Sequence, residues 1–126
     1  SPQTQYDVCI HGSCISTRFD AEGGSRIMIR HEVIIRVKPD LSRDVIDRTL
    51  RESYDLLIEL PGVERVRYGV NNATSYRHAM LVIDLTDEQA LHRFGRHPQH
   101  ARAVRLINRL AESSSVGSFL VRSERR

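Results

Sequence analysis

From Ile27 onward the spacing of apolar residues switches between steps of two and steps of three or four, and each switch marks a new element. Ile29, His31, Val33, Ile35 and Val37 share one face of a predicted strand, with Arg30, Glu32, Arg36 and Lys38 mostly on the other, so His31 points inward. Pro39-Asp40 ends that strand. Ser42 is placed to cap a helix whose stripe is Ile46, Leu50, Tyr54, Leu57 and Ile58, and Pro61-Gly62 stops it. A weaker strand spans 63–71, Asn71-Asn72-Ala73-Thr74 is turn material, and a third strand spans 75–85. That third strand is apolar on both sides, with His78, Met80 and Val82 on one and Ala79, Leu81 and Ile83 on the other, which predicts burial of both. Thr86 with Gln89 makes a capping box for a short helix through Leu91 and Phe94. Pro98 suits the first turn of a helix beginning near His97, with Val104, Ile107, Leu110 and Ala111 as its stripe, and residues 117–121 form a last strand.

The order strand, helix, strand, strand, one or two helices, strand predicts an α+β fold, the ferredoxin-like split βαβ arrangement, with a four-stranded antiparallel sheet and helices on one face. Helices cover one face only, yet the third strand offers apolar side chains on both. A two-fold homodimer, two such sheets packed into one α/β barrel, resolves this, and an N-terminal hairpin folded across the open face is the alternative.

The first 26 residues have a separate character. Residues 6–10 and 13–16 read as a hairpin around His11-Gly12, placing Cys9 opposite Cys14 at a non-hydrogen-bonded pair, where either a disulfide or two reduced thiols fit. Residues 21–25 read as a flexible linker, so a 1–26 arm precedes a 27–126 domain. Gly12-Ser13 resembles a nucleophile turn, but no βα unit or matching partners follow. Ser1 at the start, with no apolar signal stretch behind it, points to a processed N-terminus or an expression scar, and a cytoplasmic location with reduced cysteines is expected.

Composition narrows the function classes. The 126 residues suit one domain, and no apolar run reaches the ~20 residues of a membrane span. The net charge of +3 comes from basic residues scattered among nearly as many acids, with Lys38 the only lysine, which argues against a nucleic-acid footprint.

The candidate chemistry lies in four histidines: His31, His78, and the pair in His97-Pro98-Gln99-His100, expected to converge on one apolar cleft. A helix N-terminus disfavours the imidazolium, so His100 beside Phe94 suits a neutral base, with His97, His78 or Tyr76 as donor to a developing oxyanion. The same imidazoles also fit a structural role, capping carbonyls or satisfying the core. His97, His100 and His78 could together approach a metal, but no carboxylate or thiolate completes a ligand set, so neither metal nor cofactor is expected.

Residues 29–121 resemble the stress-responsive α/β-barrel (Dabb) domain family. The resemblance rests on Ile29-Arg30-His31, Leu60-Pro61-Gly62-Val63, Ser75-Tyr76-Arg77-His78 and His97-Pro98-Gln99-His100. It implies a dimeric barrel and a cleft between sheet and helices lined by His31, Val33, Ile35, Leu50, His78, Met80, Phe94, His97, His100 and Ala103. In the family's plant polyketide cyclase, which makes olivetolic acid, the histidine matching His100 is the base of an aldol-type ring closure and is paired with a tyrosine. This chain has Phe94 at the tyrosine's position. The functions implied are a cofactor-free enzyme acting on a small apolar carbonyl compound, a non-enzymatic stress-associated dimer, or a cofactor-independent oxygenase. The geometric test of both enzyme readings is whether the cleft beside His100 is open, at the scale of ~300 Å³, or filled by side chains, a filled cleft removing both.

Overall fold

The computed structural model describes residues 3–10, 13–20, 25–71 and 77–124. In chain order the elements are β1 (Gln3–Ile10), β2 (Ser13–Asp20), β3 (Ser25–Val37), α1 (Arg43–Leu57), β4 (Val63–Val70), β5 (His78–Leu85), α2 (Glu88–Arg96), α3 (Pro98–Leu110) and β6 (Ala111–Glu124). Strands β1 and β2 pair as a hairpin with Cys9 opposite Cys14 in the backbone register. The other four strands form one antiparallel sheet in the order β4-β5-β3-β6, with the helices on one face. This is the ferredoxin-like arrangement that the order of elements predicts. The His11-Gly12 turn, the 21–24 part of the linker and the 72–76 turn segment, Tyr76 included, lie outside the described residues.

Alternation decides which side chains meet the helices. Ile29, Ile35 and Val37 of β3 are buried together with Ala79, Leu81, Ile83 and Leu85 of β5, and Ile46, Leu50 and Leu57 of α1 close over them. Ser42 caps α1 by accepting from the Val45 N–H at 3.3 Å. At Gly62 the backbone takes φ 81°, and a Cβ there would stand 2.4 Å from Ala90 Cβ, so glycine is required both by the turn and by the close approach of α2.

Three local expectations are corrected. The N-cap of α2 is Asp87, whose carboxylate accepts from Ala90 N–H at 2.8 Å, so the carboxylate one residue beyond Thr86 is the better-placed acceptor at the positive end of the helix. In α3 the buried stripe is Ala103, Ile107 and Leu110; Val104 is 40% exposed, and Ala111 already belongs to β6. Strand β6 runs from Ala111 to Glu124 rather than over 117–121, because its serine-rich start pairs in register with the long β3, and ladder hydrogen bonding overrides weak intrinsic propensity.

On the face away from the helices, Asp84 is 4% exposed and held by Arg30 Nε at 2.8 Å and Arg67 Nη2 at 3.5 Å. Ile34, Met80 and Phe119 lie exposed on that face, and the Phe119 ring covers Gly117.

Candidate functional site

The α2–α3 junction builds one end of a cleft. His97 ends α2 and caps α3: its extended backbone (φ −72°, ψ 137°) turns the chain, and its Nδ1 accepts from Gln99 N–H at 3.1 Å. Pro98 follows at the start of the helix, where a missing N–H costs nothing. Gln99 Nε2 donates to the Leu56 carbonyl at 2.8 Å and ties this end of α3 to α1. The geometry then projects His100 inward.

Phe94, 2% exposed, lies between two imidazoles. Its ring centroid is 4.7 Å from that of His100 and 5.5 Å from that of His31. His31 Nδ1 and Ser118 Oγ, on paired strands, share a hydrogen bond of 2.8 Å. Burial lowers the pKa of His100 below the ordinary histidine value, opposed in part by a hydrogen bond to the Gly95 backbone. The neutral ring is therefore the favoured form at pH 7.

From this end a cavity of about 240 Å³ runs between α3 and β6, somewhat under the ~300 Å³ at which ligand pockets commonly begin. Of the residues singled out from the sequence, His31, Val33, Phe94, His100 and Ala103 are among those that line it. Among the described residues no Asp, Glu, Lys or Arg does.

The remaining expected residues lie elsewhere. Ile35 and Leu50 are wholly buried in the core and do not reach the cavity wall. His97 is spent on capping α3 and likewise does not line it. His78 and Met80 pair with Arg36 and Ile34 on the opposite face of the sheet, because it is Ala79, Leu81 and Ile83 that alternate toward the helices. The proposed approach of His78 to His97 and His100 is thereby ruled out, and among the described residues no three potential metal ligands come together. Sequence reasoning missed Asn108, Ser114 and Val116 on the cavity wall and Ser118 behind His31. Spacing puts His100, Val104 and Asn108 on one helix face and Ser114, Val116 and Ser118 on one strand face, but only the packing of α3 beside β6 brings those faces to one cavity.

The fold agrees with a known class. The chain matches the Stress responsive A/B Barrel Domain (Dabb) over residues 29–119 and belongs to that family. It is similar in structure to a dimeric ferredoxin-like protein from Thermobifida fusca, at 20% identity and a TM-score of 0.65, with 75% of this chain and 92% of that one covered. A hydroxynitrile lyase from Passiflora edulis superposes at 17% identity and a TM-score of 0.65, covering 75% and 93%. SnoaB, a cofactor-independent oxygenase from Streptomyces nogalater, does so at 13% identity and 0.64, covering 79% and 94%. At these identities the likeness is one of fold. No curated protein matches the chain. Among the described residues no helix is long and apolar enough to cross a membrane.

Proposed function

We propose that the protein is a homodimeric, cofactor-free enzyme that removes a proton from the carbon beside the carbonyl of a small apolar substrate, with His100 as the base. The observation that carries this reading is the partial burial of His100 against Phe94 at the end of a largely aliphatic cleft that no charged side chain lines among the described residues. A neutral imidazole there can accept the C–H proton. The electron pair moves onto the carbonyl oxygen, giving an enolate that can add to a second carbonyl in an aldol-type, cyclase-like step. His97 and His78 do not line the cavity, so His31, fixed by Ser118, takes the part of donor to the enolate oxygen. Phe94 supplies a wall that excludes water and, unlike a tyrosine, no phenol. The hydroxynitrile lyase and the cofactor-independent oxygenase of the same fold support a catalytic use of this scaffold.

Homodimerisation through the open sheet face is part of the same proposal. Ile34, Met80 and Phe119 expose apolar surface there, and the Thermobifida fusca neighbour is a dimer.

Deuterium exchange into the benzylic carbon of phenylacetone, followed by NMR, tests the chemistry. The native protein should accelerate exchange, and His100→Ala should lower the enhancement about 100-fold. Binding of phenylacetone without accelerated exchange would reject the enzyme and leave a stress-associated binding dimer. Equal rates in the two proteins would reject His100 as the base.

A further inference from the structure

We infer that Asn108 and Ser114 form a second polar subsite at the far end of the cleft, selecting elongated ligands that carry an uncharged hydrogen-bonding group remote from His100. This deepens the ligand-binding reading of the cleft and rests on it. The cleft is layered along its length. On α3, His100, Val104 and Asn108 stand on one face at successive turns, so His100 and Asn108 are about 12 Å apart along the axis. On β6, Ser118, Val116 and Ser114 stand opposite His31, Val33 and Ile35 of β3, and Ser118 and Ser114 are about 13 Å apart along the strand. Helix and strand thus keep the same spacing from a polar first layer to a polar last one.

Between these layers the walls are aliphatic. Val104 and Val116 line the cavity yet are 40% and 60% exposed, which leaves apolar surface uncovered midway along the cleft. At the far end Asn108 and Ser114 are exposed, and neither side chain is hydrogen-bonded to another described residue. A carboxamide offers donors and an acceptor, and a hydroxyl offers both roles, so together they match an alcohol, ketone or amide. With no charged side chain among the described residues of the cavity wall, a carboxylate or ammonium at that end would find no counter-charge on it.

Nonanol and α,ω-nonanediol, which differ only in the second terminal hydroxyl, are suitable probes. Their affinities for the full chain are measured by NMR titration, with His100 and the residue 108–114 amides as reporters, in the native protein and in an Asn108→Ala/Ser114→Ala double variant. Both positions are exposed, so the variant leaves the core intact. Losing two neutral hydrogen bonds should lower the ratio of diol to nonanol affinity about tenfold, with nonanol binding no weaker. A ratio unchanged within twofold, while both probes still shift His100, would overturn the subsite and spare the ligand-binding cleft. If neither probe shifts His100 in the native protein, the cleft reading and the subsite fall together.

Discussion

The two faces of the four-stranded sheet are made from alternate residues of the same strands, yet they present opposite chemistry. Toward the helices, His31 lies with Phe94 and His100 in a recess that no formal charge lines among the described residues. Away from them, Asp84 is clamped by Arg30 and Arg67 beside exposed Ile34, Met80 and Phe119. One face keeps an imidazole neutral beside an apolar cleft; the other combines paired charge with exposed apolar surface, as an association surface does. What an imidazole means here is set by parity along a strand. His31 and His78 occupy adjacent strands, but only His31 falls on the side of the cleft.

The sharpest way to break this contrast is to truncate consecutive residues of β5. Leu81, 1% exposed on the helix side, should cost about 2–5 kcal/mol on Leu81→Ala, read by urea denaturation. Met80, 39% exposed on the open side of a single chain, should cost under ~1 kcal/mol on Met80→Ala in the same assay at dilutions where the chain is monomeric, whereas Met80→Glu should shift sedimentation of the proposed dimer to monomer. Similar losses for the two alanine variants would mean that the faces are not distinct.

A smaller effect concerns pH. The folded-state pKa of His100 lies below its unfolded value of 6.5, so the unfolded chain binds the proton first as pH falls. The stability associated with neutral His100 is therefore fully present above pH 6.5 and is lost as pH falls from there through the folded value. His100→Gln should flatten that part of the stability profile, measured by thermal melts from pH 7.5 to 4.5. An unchanged slope would place the proton uptake elsewhere.

Much of this organisation was legible in the sequence, and the rest was hidden for identifiable reasons. Period two over 27–38 and the spaced apolar residues from Ile46 to Leu57 were strong enough to give β3, α1 and the fold class, and Pro98 marked the start of α3. Strand β6 was legible only in its apolar centre, since Ser113, Ser114 and Ser115 carry no strand signal and are held by pairing with β3. Within the site, Phe94 and His100 were recoverable from the helix-junction motif and His31 from alternation. His78 was misplaced because a strand apolar on both sides does not reveal which side the helices cover. Asn108 and Ser114 were missed because they are polar positions in otherwise ordinary amphipathic patterns, and only the packing of α3 beside β6 gives them a shared cavity.

The central claim is that His100 is a desolvated, neutral imidazole at the end of an apolar cleft. An NMR pH titration that follows the His100 ring resonances in the folded protein tests it most directly. The account predicts a midpoint below 6.5 and a neutral ring at pH 7; a midpoint at or above 6.5 would contradict it.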